Sequence, residues 1–426
     1  MDRSTRGLWL ILLLAIVLRL GLAGWWQWRH GETFVFGDSQ SYWTLGQSLA
    51  AGEPYRFGAS AIFRTPGYPA LLAPIFWLAG PTASVFWGRA ENALWGTVAV
   101  AAVAWLGRRL GGPKVGLWAA AAAALYPEAI ASSVLVLSDT PFAALMVVQL
   151  ALWVVAWQTP QKWPACGWAL LAGAVAGAAS LVRPSWLLFT PFALFVSLAF
   201  EAERRRQAAL GTLLLVGLLV VMLPWWIRNA AITGHFVPTS LQVGASLYDG
   251  LNPQATGASQ MRLVDEYVQS LRETGPSSVP AVPAEGEYEL DQRLRRAAVD
   301  WAAGHPGQVL QLAVVKLGRM WNLWPNEPAF AAWPVRVAVV FTFAPIALLG
   351  IMALARTTAR GWPYRLCWLP ALYLSGIHML FVGSLRYRMP AMLPWMVLAA
   401  WWLLYRKTAT AVGLQTKEGT ILSSGG

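Results

Sequence analysis

Seven ionisable residues in this apolar chain sit where chemistry is possible: Asp38, Arg64, Asp139, Arg183, Arg228, Arg386 and Arg388. Asp38 follows a glycine in "FVFGDSQSYW", and Arg64 opens "RTPGYP". Asp139 lies in "LVLSDTPF", Arg183 in "LVRPSW", Arg228 in "PWWIRN", and Arg386 and Arg388 in "GSLRYRMP". Gathered on one face, two acids and several arginines would bind a phosphate and leave a carboxylate free as a base. Ionisable groups at membrane depth are costly, so they are usually paired or functional. Each member also has a plainer role. Asp38 can cap a loop helix, and Asp139 can cap a helix ahead of Pro141. Interfacial arginines can snorkel to lipid headgroups. Glu128 and Arg19, inside apolar runs, read as a structural pair or as lone polar sites. The chemical case therefore rests on the set.

The elements that must position this set are membrane helices. The chain has 426 residues, 57% hydrophobic and only 12% charged, about half the charged share of a soluble domain. Its 26 Trp suit the membrane-water interface. The net charge of +12 falls in short clusters between apolar runs, which is a loop pattern and not a nucleic-acid groove. Taking roughly 20 apolar residues per span, the sequence predicts about ten spans, near 8–28, 84–107, 115–132, 136–157, 166–182, 185–200, 208–227, 333–354, 365–383 and 389–405. The first is read as an uncleaved span, because Gly7 to Trp28 is longer than a signal-peptide core. Cys166 and Cys367 form no CxxC and read as small hydrophobes in helices.

Orientation follows from Lys and Arg. With the N-terminus in the cytoplasm, every short loop predicted inside carries a basic residue. Two long segments then face outward, 29–83 and 228–332, with all seven residues of the set on that side. Residues 1–405 form one transmembrane domain, and 406–426 are expected to be a disordered cytoplasmic tail. In the first loop, Tyr42, Leu45 and Leu49 share a helical face that Gly52 can end. "PGYPALLAPIFWLAG" is too short to span. In the second, "SSVPAVPAEG" reads as a connector, and "EYELDQRLRRAAVDWAAGHP" and "PGQVLQLAVVKLGRMWNLWP" read as amphipathic helices, the latter with Pro306 near its start. There is no Walker A, HExxH, GxSxG or D-x-D, and four His make a His-rich metal site implausible.

The order of these motifs resembles that of the GT-C glycosyltransferases of the aminoarabinose-transferase and protein O-mannosyltransferase type (glycosyltransferase family 39-like). The likeness runs from about residue 8 to 405: an Asp after the first span, "RTPGYP", "SD" opening span four, "LVRP" after span five, "PWWIRN" after span seven and "RYRMP" before the last span. The resemblance implies an all-α polytopic bundle with amphipathic helices over a catalytic cavity at the outer face. It implies an inverting transfer of a sugar from a polyprenyl-phosphate donor to an acceptor hydroxyl on a lipid, a protein or a cell-wall glycan, in the inner membrane. By position, Asp38 becomes the catalytic aspartate, Asp139 the second acid, and Arg64 the contact to the donor phosphate. Arg183, Arg386 and Arg388 join Arg64 as phosphate candidates, and Tyr42, Tyr68, Arg228 and Tyr387 are expected around the substrate cavity. Ser39 stands where many relatives carry a further acid, which weakens a metal site there. The sequence specifies no cofactor, and a divalent cation stays open. Some relatives have a large soluble C-terminal domain that this chain lacks, so acceptor recognition is expected mainly from 228–332. The other readings are a transporter or flippase of a lipid-linked glycan, favoured by inverted repeats that the sequence does not show, and a glycan polymerase or ligase.

Overall fold

The computed structural model describes residues 3–274, 284–325 and 332–421, the side chains being described as far as Tyr405 in the last helix. The elements in order are α1 (Arg3–His30), α2 (Gly37–Ala51), α3 (Gly67–Ala79), α4 (Val85–Leu125), α5 (Pro127–Val134), α6 (Asp139–Gln158) and α7 (Lys162–Val182). A 3₁₀ turn, Pro184–Trp186, leads to α8 (Phe189–Phe200) and α9 (Arg204–Thr233). Then come α10 (Val243–Gly250), α11 (Met261–Thr274), α12 (Ala284–Gly304), α13 (Pro306–Met320), α14 (Trp333–Thr358), α15 (Trp362–Arg365), α16 (Leu369–Leu380) and α17 (Leu385–Ile421). Among the described residues there is no strand, only one isolated bridge between Phe57 and Ser60.

Among the described residues, five helices are long and apolar enough to cross a membrane: α1, α6, α7, α9 and α14. The pair α4 and α5, bent by 53°, passes the same test. The predicted count of ten is not reached by this measure, because several of the predicted spans fold as shorter or broken helices. Gly112 leaves helical geometry at φ 81°, just before Pro113, and Gly107 comes into contact with Gly116. The chain therefore folds back, and α4 contains two arms where the sequence predicts two spans. α8 and α16 are apolar but only 12 residues each. The connector at 277–286 lies largely outside the described residues. The backbone of α17 continues as helix to Ile421, through most of the segment expected to be disordered.

α6 is the axis of the bundle. It is apolar on all sides and nearly every residue from Asp139 to Ala156 is buried, as a helix without a polar face must be. α4, α7 and α17 pack around it. α7 and α9 approach at small residues: a side chain at Gly173 or Gly217 would meet backbone of the partner helix, the usual way membrane helices gain close contact. α1 turns Trp9, Leu10, Leu13 and Val17 outward.

The two long loops meet over one end of this bundle. α2 packs on α3, and Glu287 of α12 accepts from the backbone N–H groups of Ala61 (2.8 Å) and Ile62 (3.2 Å). Asp291 accepts from Gly244 N–H at 2.6 Å and pairs with Arg295. Buried Glu287 thus ties the second loop to the first and buried Asp291 ties the second loop to itself, both acids hydrogen-bonded as buried charge requires. The helices predicted from "EYELDQRLRR" and from Pro306 onward are α12 and α13, with Pro306 at the start of α13.

Candidate active site

Four elements bring their first or last residues to the same place. Asp38 lies in the first turn of α2, where it makes no capping bond; Gly52, at φ 69°, ends that helix as expected. Arg64 ends the loop between α2 and α3. Asp139 opens α6, again without a capping bond. Arg183 ends α7, and Arg386 lies in the first turn of α17. Both acids occupy first turns, where a helix favours negative charge, but their partners are arginines.

Arg64 donates from Nη2 to Asp38 Oδ1 at 2.6 Å. Its Nη1 donates to Gln242 Oε1 at 2.5 Å and its Nε to Ser41 Oγ at 3.3 Å. Arg183 donates from Nη1 to Asp139 Oδ1 at 2.6 Å. Arg386 joins the two pairs: its Nη2 lies 3.7 Å from Asp38 Oδ2 and its Nε 3.3 Å from Asp139 Oδ2. Three guanidiniums thus face two carboxylates, leaving one positive charge in excess. The two acids differ in exposure. The Asp38 side chain is 38% exposed and faces an opening; that of Asp139 is 1% exposed, beneath the arginines.

The opening is a cavity of about 600 Å³. Asp38, Arg64 and Arg386 form its charged wall, Phe57 and Phe63 stand on one side, and Gln242, Ser259 and Arg319 come from the second loop. Beside it lies a smaller apolar pocket of about 100 Å³, lined by residues such as Ala131, Leu135, Val335 and Val339. The two share Phe36, Ser384 and Arg386.

Burial pushes the Asp38 carboxyl up, but the charges of Arg64 and Arg386 outweigh it and hold it below its usual range. Among the described residues no three His, Cys, Asp or Glu side chains stand together as a metal site would need. The carboxylates here face guanidiniums and the excess charge is positive, so this donor set does not fit a divalent cation.

Aromatic rings hold the arginines. Arg64 lies over Tyr42 at 5.1 Å and Phe63 at 4.7 Å, Arg183 over Tyr387 at 5.0 Å, and Arg386 over Phe36 at 5.2 Å. Tyr387 lines the cavity and stacks on His378 at 3.9 Å. Tyr42 lies just below, reaching Ser138 Oγ at 3.4 Å. Tyr68 is fully buried under Tyr42, with its hydroxyl on Asn92, so it packs and does not line.

Two expected members stand elsewhere. Arg388 is fully buried, paired with Glu128 and donating to Asn322 O, over the Phe343 ring. It is the partner of Glu128, which is therefore not paired with Arg19. Arg19 donates instead to the carbonyls of Ala15, Ala123 and Ala124. Arg228 donates to the carbonyls of Tyr55 and Ala61 at 3.1 Å and holds the first loop together. Gln242, Ser41 and Arg319 also line the cavity, and the sequence does not mark them. Two of them are uncharged, and nothing in the local pattern marks Arg319 among the basic residues of its loop.

Residues 64–227 match the family model described as dolichyl-phosphate-mannose-protein mannosyltransferase. No curated protein matches the chain. Among solved structures, the oligosaccharyltransferase AglB of Archaeoglobus fulgidus, in complex with an inhibitory peptide and a dolichol-phosphate, superposes with a TM-score of 0.59 at 14% identity. That alignment covers 97% of this chain and 52% of the other. The apo form of the Archaeoglobus fulgidus enzyme gives 0.60 at 14% identity, with the same coverage. ArnT from Cupriavidus metallidurans gives 0.46 at 18% identity, over 93% of this chain and 78% of the other, a likeness too loose to build on. The chain spans about half the length of the oligosaccharyltransferase structures it matches. With its apolar helices and this architecture, the chain is an integral membrane protein that shares the fold of the Archaeoglobus fulgidus oligosaccharyltransferase.

Proposed function

We propose that this protein is an inverting glycosyltransferase that takes a sugar from a polyprenyl-phosphate donor and delivers it to an acceptor hydroxyl in the 600 Å³ cavity. The observation that carries the reading is Arg386, which bridges both carboxylates at the junction of a charged cavity and an apolar pocket. A lipid-linked sugar needs that pairing of environments. Its phosphodiester brings one negative charge to a site with one positive charge in excess. Its sugar lies in the cavity, and the first isoprene units of its tail fit the apolar pocket.

The roles follow from exposure and charge. Arg64 and Arg386 take the phosphate oxygens, where guanidinium forks match phosphate geometry. Asp139, buried, sets the positions of Arg183 and Arg386. Asp38, open to the cavity, is the base. Its two arginine partners lower its basicity in the empty site. A phosphate that draws those guanidiniums away raises that basicity when the donor is in place.

The acceptor oxygen attacks the anomeric carbon from the face opposite the phosphate, and its proton passes to Asp38. The carbon–oxygen bond to the phosphate breaks through an oxocarbenium-like state, and polyprenyl phosphate leaves with the bond pair. The charge growing on its oxygens is stabilised by Arg64 and Arg386. A positioned base contributes on the order of 10²- to 10⁴-fold.

The distribution of Lys and Arg supports a site on the outward face of the inner membrane. Gln242, Ser259, Met261 and Arg319 make the second loop the acceptor side of the cavity. The test is transfer of label from polyprenyl-phosphate sugars by purified protein. Wild-type transfer that vanishes in a folded Asp38→Asn variant supports the reading. Full activity in Asp38→Asn would overturn the assignment of the base.

A further inference from the structure

Several buried charges lie outside the cluster that the proposed reaction uses, and Lys316 is one of them. Lys316, on α13, is fully buried, and its Nζ donates to the carbonyls of Leu380 (2.9 Å) and Met379 (3.3 Å). These are the last residues of α16. An ammonium there satisfies carbonyls that have no partner within their own helix and meets the negative end of the dipole. Asp249, at the end of α10, acts electrostatically on Lys316. It is itself fixed by Gln260 N–H and the Ser259 hydroxyl, both at 2.7 Å.

The same neighbourhood grips the residues that follow α16. Gly383 N–H donates to Gly257 O at 2.9 Å, and Arg319 Nε donates to Gly383 O at 3.3 Å. A side chain on Gly383 would meet Lys316 O at 2.3 Å, so this strand of chain runs directly against the α13 backbone. Three residues on is Arg386, the group that bridges Asp38 and Asp139. The connection from α16 to α17 is thus gripped from the second loop, in addition to the contact of His378 on α16 with Val382 O at 3.1 Å.

We propose that Lys316 is a positioning residue: through the carbonyls of Met379 and Leu380 it fixes the segment 381–385 and so places Arg386 between the two carboxylates. Lys316 touches neither the cavity nor the cluster. It acts through Arg386, and the second loop thereby has a role in donor binding besides walling the acceptor side. The part concerning donor binding rests on the function proposed above. The grip on the segment does not.

The experiment uses the full-length protein in lipid nanodiscs. It follows amide exchange over 381–387 and binding of undecaprenyl phosphate for wild type, Lys316→Met, Lys316→Arg, Arg386→Gln and Lys316→Met/Arg386→Gln. Lys316→Met is expected to speed exchange of this segment at least about tenfold and to weaken lipid phosphate binding by about ten- to a hundredfold. Lys316→Arg restores both. In the Arg386→Gln background, Lys316→Met adds little further loss, because the route through Arg386 is already cut. Unchanged exchange in Lys316→Met would overturn the proposal, as would faster exchange with full binding, or losses that simply add. If wild type binds no undecaprenyl phosphate while Lys316→Met still frees the segment, the function proposed for the site falls and the grip on the segment stands.

Discussion

Arg64 and Asp38 lie 26 positions apart in one loop and meet at 2.6 Å on the wall of the cavity. The pair closes the loop on itself and sets the carboxylate toward the space a substrate would fill. Asp38→Asn removes the charge but keeps the shape. Its expected effect is a loss of transfer on the order of 10²- to 10⁴-fold with undecaprenyl phosphate binding kept. Label transfer and lipid binding measured on the same preparation separate the two. A variant that loses binding and transfer together would mean that Asp38 serves to hold Arg64 and is not the base.

The same pair sets a pH dependence. Arg64 and Arg386 hold Asp38 below its usual range despite burial. A carboxyl lowered on folding contributes stability above its unfolded value, about 3.9, and that contribution is lost as pH falls through the lower folded value. Wild type should therefore melt above Asp38→Asn at neutral pH, with the gap closing only below about pH 4. The side chain is more than a third exposed, so the gap is small, about 1 kcal/mol or less. Melting curves of both proteins from pH 3 to pH 8 check it. A gap that closes near pH 6 would contradict the assignment.

Arg386 and Arg388 should fail differently. Arg388 is buried against Glu128, and removing one partner of such a pair leaves the other charge uncompensated, at about 3–5 kcal/mol. Arg388→Met is expected to lower folded yield and melting temperature sharply, and Glu128→Gln to do the same. Arg386→Gln, beside the open cavity, is expected to fold and to lose phosphate binding. Size-exclusion profiles and melting temperatures of the three variants decide this. An Arg388→Met protein that folds normally but binds no lipid phosphate would return Arg388 to the donor site.

How much of this was legible in the sequence depends on what sequence spacing encodes. The span pattern and the basic loops place Asp38, Arg64, Asp139, Arg183 and Arg386 at one end, and the structure brings these five together. Arg388 has the same composition and neighbourhood but sits two residues past Arg386 on a helix, and residues at i and i+2 point to different faces. The motif shows both arginines without showing which one faces the cavity. Arg228 ends α9 as expected but turns to backbone carbonyls of the first loop, a partner no spacing could name. Gln242 is uncharged and lies in no motif, so nothing in the sequence marks it as a partner of Arg64. The span count is not settled by helix length, because α8 and α16 are short and α4 holds two predicted spans that turn back on each other at Gly112.

The apolar pocket predicts a dependence on lipid length. Val339 and Leu135 line it and belong to neither the charged cluster nor the larger cavity. Val339→Trp is expected to fill the space without touching Arg386. The KM for a long-chain polyprenyl-phosphate donor should rise about tenfold or more, while a donor with a short, soluble tail keeps its KM. If the substitution raises both equally, the pocket does not hold the tail.

The buried ammonium of Lys316 makes the last prediction. Burial lowers it to about 8, against the pull of Asp249. The charged groups that face it are Asp249 at the end of α10 and Arg319, one turn on along its own helix and beside Gly257 with it. A lysine lowered on folding from about 10.4 costs stability while it is charged. That cost is relieved as pH rises between the folded and unfolded values. Wild type should therefore gain melting temperature relative to Lys316→Met between about pH 8 and pH 10. Below that window the wild-type protein keeps a charge in its interior that does not favour its stability, which is the behaviour of a group whose task is to place Arg386. Parallel melting curves across the window would show that Lys316 is not the titrating group.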